Sequence, residues 1–376
     1  MVNSEYAHRP RQVCRLEVVP FAIPLRAAFV TATSVAQRRV GFLVRAYDEE
    51  GRVGVGEVAL LPDAPAAALR RAWQELQALA TGLAEGSTDV SREAAWQRRL
   101  LALSTAAVRA GVEAARHDLW AQGGGVSLGA LLGGEVRSAV SVNATLADAA
   151  PSRLAEQAEV LVTSGFRCLK LKVGQAGIAV EAAKLAAIRK AVGDAVAIRL
   201  DVNAVWSVPQ AIDAIAVLAP FGIDYVEQPV AGIEALAAVR AAVGVRIAAD
   251  ESVRDVASVT AIAARGAADV IVIKPSVHGL RTSLALMREA YLRQLPVVVT
   301  SVIETSIGIA AALQVAAVAP GRLLPCGLAT ATLLDGDLVA EGELTIAGGM
   351  MRVPTTPGLG VAVDAAALQR WRIETL

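Results

Sequence analysis

After Glu135 the chain settles into short apolar runs, each followed by a longer stretch with helical spacing, and no other feature constrains its fold as tightly. That alternation is the mark of βαβ units and a parallel sheet. Eight runs can be set out: AVSVN ending at Asn143, CLKLK at Lys172, AIRLD at Asp201, DYVEQ at Gln228, RIAAD at Asp250, VIVIK at Lys274, PVVVT at Thr300 and RLLPC at Cys326. Strands spaced one βα unit apart are what a closed (β/α) barrel needs; a doubly wound open sheet is the competing arrangement. Residues 13–48 read as antiparallel strands, with EEGRVG around Gly51 as a hairpin connection, and residues 65–132 as helices that stop at Gly123 to Gly125 and at Gly133-Gly134. Past Leu334, DLVAEGELTIAGGMMRVPTTPGLG reads as hairpins and loops packing back on the N-terminal unit. The expected fold is α/β: a modified TIM barrel, (β/α)7β, over 136–334, under an α+β capping domain built from 1–135 and the returning segment 335–376.

Buried parallel strands should be almost continuously apolar, so a charge closing one costs desolvation unless it is paired or used. Five of these runs close on charge: Lys170 and Lys172, Asp201, Glu227, Asp250 and Lys274, all at the C-terminal ends, where barrel enzymes place their reactive groups. Asp201, Glu227 and Asp250 come from successive strands, so they converge and repel one another unless a cation sits among them. Three carboxylates without a neighbouring His or Cys supply hard oxygen donors, which favours Mg²⁺, with Mn²⁺ as the alternative, over Zn²⁺. Glu251 should point to the opposite face by strand alternation and is the weaker ligand candidate.

Lys170 and Lys172, two apart, share the barrel-facing side of their strand, and Lys274, four strands on, faces them. Crowding by a metal ion and a second ammonium is expected to lower a lysine pKa toward what a general base needs. A Schiff-base aldolase is the rival use of barrel lysines, but it leaves three converging carboxylates unexplained.

Composition removes other classes of function. Lys+Arg and Asp+Glu both number 36, leaving no net charge to drive binding to nucleic acid or anionic membranes, so the expected partner is a small-molecule carboxylate substrate. Charged residues interrupt each apolar stretch before it reaches membrane-spanning length, although 55% of residues are hydrophobic. Cys14, Cys168 and Cys326 have neither disulfide-framework density nor zinc-ligand spacing. With MVNSEYAHRPRQ lacking a signal-peptide pattern and reading as a frayed tail, a cytoplasmic monomer or homo-oligomer is expected.

Taken together, VEAARHDLWAQ with LGALLGG, the KLK pair at Lys170 and Lys172, RLDVN at Asp201, VEQP at Glu227, ADES at Asp250 and IKP at Lys274 resemble the enolase superfamily over nearly the whole chain. The paired lysines resemble its muconate lactonizing subgroup. The resemblance implies Mg²⁺ on Asp201, Glu227 and Asp250, removal of a proton alpha to a carboxylate by Lys172, an ene-diolate, and electrostatic help from Lys274, with Lys170 tuning Lys172. Within the subgroup, PLR at 24–26, IKPSVHGL at 273–280 and TSVIETSIG at 300–308 followed by CGLAT resemble the o-succinylbenzoate synthases, dehydratases of the menaquinone pathway. Where those often carry Gly-Gly, this chain has His278-Gly279. Racemases of N-succinylamino acids, dipeptide epimerases and cycloisomerases share the same residues; the epimerases usually carry an Asp-x-Asp that CGLATAT lacks.

Around this set, Asn203 and Arg199 share the face of Asp201 as its supporting shell. Asn203, Ser301, Glu304 and His278 are candidate substrate contacts, with helix capping the other reading of Glu304. His117 and Cys168 read as packing residues, and Gly123 to Gly125 as a helix-ending turn, since no Lys-Ser/Thr follows to make a phosphate loop. Loops at 30–38 and 61–65 are expected to lid the site.

Overall fold

The computed structural model describes residues 12–30, 35–84, 89–146 and 150–374. The N-terminal tail and residues 31–34 of the expected lid lie outside that set.

Strands β1 (Arg15–Val30), β2 (Val35–Tyr47) and β3 (Val53–Val58) pair antiparallel in that order. The β2–β3 turn is held by Asp48, whose carboxylate accepts from the backbone N–H groups of Glu50 (3.0 Å) and Arg52 (2.9 Å), while Gly51 takes the positive φ the turn requires. Helices Ala66–Ala84, Asp89–Ala102 and Ala106–Gly123 cover this sheet, and Leu76, Leu79, Val108 and Leu119 join Phe42 and Val44 in a core of their own. Sheet and helix meet at glycine. A Cβ on Gly56 would lie 2.2 Å from the Gly111 carbonyl oxygen, so only a residue without one lets β3 approach the Ala106–Gly123 helix. Gly56→Ala is therefore expected to destabilise the chain by about 1–3 kcal/mol through overpacking, read as a lower urea midpoint; an unchanged midpoint would show that the contact can relax.

The barrel runs through β5 (Ala144–Leu146), β6 (Cys168–Lys172), β7 (Ala197–Asp201), β8 (Ile223–Glu227), β9 (Ile247–Ala249), β10 (Val270–Ile273) and β11 (Val297–Val299), a parallel sheet in sequence order with helices between the strands. Side-chain alternation sorts its residues. Leu169, Leu171, Ile198 and Leu200 turn outward into the helix layer, while Tyr225, Ala248, Val270, Val272, Val298 and Leu324 plug the interior.

Two expected strands take another form. AVSVN divides into β4 (Ala139–Ser141), outside the barrel, and the chain then enters β5 three residues on. RLLPC forms single bridges, Leu323 to Val297 and Cys326 to Val142, that close the ring. Pro325, lacking an N–H, interrupts the ladder there. The C-terminal hairpin of β12 (Ile346–Ala347) and β13 (Met350–Arg352) also departs from expectation, pairing with β4 rather than with the capping unit. Later residues do reach that unit: the Ile373 N–H donates to the Pro20 carbonyl (3.1 Å) and the Leu359 N–H to Asp118 (2.7 Å). Among the described residues no helix is long and apolar enough to cross a membrane.

Candidate active site

Register places the charged residues. Lys172, Asp201 and Glu227 are Cα partners across β6, β7 and β8, so they form one row at the C-terminal mouth, above a second row of Lys170, Arg199 and Tyr225. Asp250 and Lys274 follow β9 and β10 directly. Asp201, Glu227 and Asp250 are buried, and each is held by an ammonium group. Lys170 Nζ lies 2.8 Å from Asp201 Oδ2 and 2.7 Å from Glu227 Oε1. Lys172 Nζ donates to the same Asp201 oxygen (2.6 Å) and to Asn203 Oδ1 (2.9 Å), and Lys274 Nζ to Asp250 Oδ2 (2.5 Å).

The expected lowering of a lysine pKa depends on a bound metal ion, and the carboxylates by themselves act in the opposite direction. Burial alone would pull Lys170 and Lys274 down, but Asp201 and Glu227 around Lys170, and Asp250, Glu251 and Glu227 around Lys274, outweigh it and hold both above the ordinary lysine range. Asp201 is the converse: burial pushes it up, yet Lys170 and Lys172 hold it well below the carboxylate range. Glu227 is pushed up to about 8 by burial and then by Asp201, against the pull of Lys170. Negative charge is thus crowded around Glu227. The donor set, three hard carboxylates in one buried row, is of the kind that takes Mg²⁺. Among the described residues no three acidic, His or Cys groups stand in ready metal-holding geometry, and Asp201, Glu227 and Asp250 are each paired with a lysine ammonium instead.

A cavity of about 220 Å³ opens above this row, lined by Lys170, Lys172, Lys274, Asn203 and Ser301 and walled by Phe29, Leu61, Pro62, Asp63, Val302 and Ile303. Clefts of about 770 and 590 Å³ elsewhere hold none of the strand-end charges, so chemistry rather than volume picks the site. Ser301 Oγ bonds the Gly327 carbonyl (2.7 Å) and Thr330 Oγ1 (2.7 Å) in the cavity wall. Ile303, β-branched yet at φ 68°, stores strain on the order of 1–3 kcal/mol in that wall.

Four readings from the sequence change. Glu251 lines the cavity and accepts from Asn203 Nδ2 (3.1 Å), because β9 ends at Ala249 and strand alternation no longer applies. His278 lies off the cavity lining: its Nδ1 accepts from the Lys274 N–H (3.1 Å) and its Nε2 donates to the Val253 carbonyl (3.0 Å), so both ring nitrogens hold backbone. Glu304 also lies off the cavity lining, its Oε2 accepting from the Val302 N–H (2.5 Å). Arg199 does not support Asp201; its Nε bonds Asp224 (3.0 Å) and its Nη1 the Pro325 carbonyl (2.5 Å), tying the barrel floor together. His117 and Cys168 are packed, with burial pushing the imidazole down to about 4 and the thiol up to about 11. Gln228 was not singled out. Its Oε1 accepts from the Asp250 N–H (2.9 Å) and the Ser252 N–H (3.2 Å), which sets the Asp250 turn, and its position beside Glu227 in VEQP was the available signal.

A barrel with acid–base groups gathered at its C-terminal mouth under an α+β cap is the architecture of a barrel enzyme. Residues 153–367 match the family described as "Enolase C-terminal domain-like", and the chain belongs to that family. It is similar to o-succinylbenzoate synthase of Thermobifida fusca, at 40% identity over 57% of this chain and 66% of that one, just under two thirds of the relative. Solved structures extend the likeness to nearly full length. The muconate lactonizing enzyme of Pseudomonas fluorescens, complexed with muconolactone, superposes with a TM-score of 0.88 at 25% identity, over 97% of this chain and 100% of that one. A dipeptide epimerase of Enterococcus faecalis, complexed with Mg and L-Leu-L-Tyr, gives 0.83 at 28% identity over 93% and 99%.

Proposed function

We propose that the chain removes the proton alpha to a substrate carboxylate and then eliminates water from the neighbouring carbon, converting 2-succinyl-6-hydroxy-2,4-cyclohexadiene-1-carboxylate to o-succinylbenzoate in menaquinone synthesis. The observation that carries this is the placement of Lys172 and Lys274, on strands well apart in the barrel, along one cavity, each with its ammonium bonded to a buried carboxylate beneath, Asp201 and Asp250. Mg²⁺ held by Asp201, Glu227 and Asp250 would supply the positive charge that the substrate carboxylate needs as its α-carbon is deprotonated. Lys172 takes the α-proton and returns it to the departing hydroxyl, so one C–H and one C–O bond break, water leaves, and the ring becomes aromatic. Lys274 contributes charge from the other wall, and Asn203 and Lys170 hold Lys172 and Asp201 in place.

A hollow of about 150 Å³ shares Phe29, Thr145 and Lys172 with the cavity and continues along Leu25 and Leu333 to Arg26. Its apolar walls and terminal cation suit a succinyl arm. The wall at Gly327 and Thr330 is neutral, which disfavours a dipeptide amine at that end. Epimerisation of an N-acylamino acid is the second reading, favoured because ammonium groups stand on both sides of the cavity. A turnover assay on the cyclohexadiene substrate separates them. EDTA treatment is expected to stop aromatic product formation and added Mg²⁺ to restore it; a preparation that leaves this substrate intact but inverts N-succinylamino acids is an epimerase.

A further inference from the structure

Gln228 follows Glu227 directly out of β8, is 1% exposed, and has both ends of its side-chain amide bonded. We infer that Gln228 is a positioning residue for the metal set, its amide fixing the spacing of the turns from which Glu227 and Asp250 extend and so holding them to the tight geometry that Mg²⁺ requires. The inference rests on the reading of Asp201, Glu227 and Asp250 as the Mg²⁺ ligands.

The bonds run to backbone next to the ligands. Gln228 Oε1 accepts from the N–H groups of Asp250 (2.9 Å) and Ser252 (3.2 Å), and its Nε2 donates to the Val230 carbonyl (2.8 Å) and to Ser252 Oγ (2.8 Å). One planar amide thus spans the exits of β8 and β9, and every partner lies within three residues of Glu227 or Asp250. An amide suits this place because it offers an acceptor with two lone pairs and two donors without adding charge. The turn it holds is closed by the Val253 N–H, which donates to the Asp250 carbonyl (2.9 Å).

The backbone around it is over-determined. Gln228 sits at φ 39°, and Asn203 and Ala204, in the turn after β7, at 49° and 61°, a left-handed region that residues with a Cβ seldom take unless their surroundings hold them there. Those surroundings are backbone bonds: the Val202 N–H donates to the Glu227 carbonyl (3.1 Å), the Ala204 N–H to the Gln228 carbonyl (2.7 Å) and the Gln228 N–H to the Ala248 carbonyl (2.8 Å). The ends of β7, β8 and β9 therefore make one frame, and past the ladder the Gln228 side chain ties the second end to the third. The three carboxylates turn to lysine ammonium groups, but the turns that carry them are set by these bonds. Spacing matters to the choice of ion. Mg²⁺ demands oxygens at about 2.0–2.1 Å in near-ideal octahedral geometry, whereas Ca²⁺ accepts about 2.3–2.6 Å and irregular geometry, so loosened turns lose Mg²⁺ first.

The test measures Mg²⁺ and Ca²⁺ binding by calorimetry on the full-length protein, without substrate, in wild type, Gln228→Met and Ser252→Ala. Gln228→Met keeps the length and charge and removes all four bonds, while Ser252→Ala removes one and guards against a Met variant that does not fold. Mg²⁺ affinity is expected to fall about 10–100-fold in Gln228→Met, the range for groups that orient metal ligands, with Ca²⁺ affinity falling about tenfold less. Ser252→Ala should shift the same preference by about threefold. A merely structural role would lower the urea midpoint and leave the ion preference where it is. Wild-type Mg²⁺ affinity in folded Gln228→Met, or an equal loss of both ions, overturns the inference; if that variant does not fold, an unchanged preference in Ser252→Ala does so. A wild type that binds neither ion overturns the reading of the metal set and the inference with it, so the two failures are told apart by which protein fails to bind.

Discussion

Lys172→Ala is expected to lose turnover by roughly 10²–10⁴-fold, the range for a positioned general base, and to lose solvent-deuterium exchange at the α-carbon with it. The expectation follows from the two Lys172 hydrogen bonds, to Asp201 Oδ2 and Asn203 Oδ1, which aim its Nζ at the cavity from one side. In a dehydratase one base carries the proton, so Lys274→Ala should be slowed through lost positive charge yet still remove the α-proton through Lys172. An epimerase would divide the work: each lysine would serve one enantiomer, and Lys274→Ala would exchange the proton of a single enantiomer without inverting it. Proton NMR in D₂O on the cyclohexadiene substrate, N-succinylamino acids and dipeptides distinguishes the two. Turnover surviving in Lys172→Ala would remove that residue from the chemistry.

The carboxylates are expected to separate under substitution, although all three belong to one proposed metal set. Asp201 sits between two ammonium groups that hold it below its ordinary range, so its stabilisation is present above the unfolded carboxylate pKa and is lost as pH falls through the depressed folded value. Asp201→Asn should cost about 3–5 kcal/mol in metal-free protein, as for breaking a buried pair. Glu227 is raised to about 8, so the folded protein binds a proton that the unfolded chain releases, and stability falls as pH rises from the unfolded pKa toward 8. Glu227→Gln is expected to flatten that fall and to leave metal-free stability near pH 7 equal to or above wild type. Both variants should lose Mg²⁺ affinity. Urea unfolding across pH, paired with calorimetric Mg²⁺ titration, reads both quantities; wild-type Mg²⁺ affinity in both variants would overturn the assignment of the metal set.

Much of the barrel was legible in the sequence because side-chain parity is a local property of a strand. Lys170 and Lys172 two apart, and a charge at the end of each of five apolar runs, determine which side chains face inward and at which end, whatever the neighbours do. Parity ends where the strand ends. Glu251, one residue beyond Asp250 in a turn, swings into the cavity, and only the folded turn decides that. His278 and Glu304 carry chemistry-bearing groups near the right loops, but whether an imidazole meets a substrate or a backbone carbonyl depends on which segment packs against it. The pKa directions of Lys170 and Lys274 depend likewise on distances between strands. Composition and spacing narrowed the class of chemistry and placed the row of charges proposed to perform it. Of the cavity walls, Leu61 to Asp63 fall in the loop expected to lid the site, whereas Phe29, Val302 and Ile303 were decided by tertiary structure, because they come from capping and barrel segments far apart in sequence whose meeting no local pattern encodes.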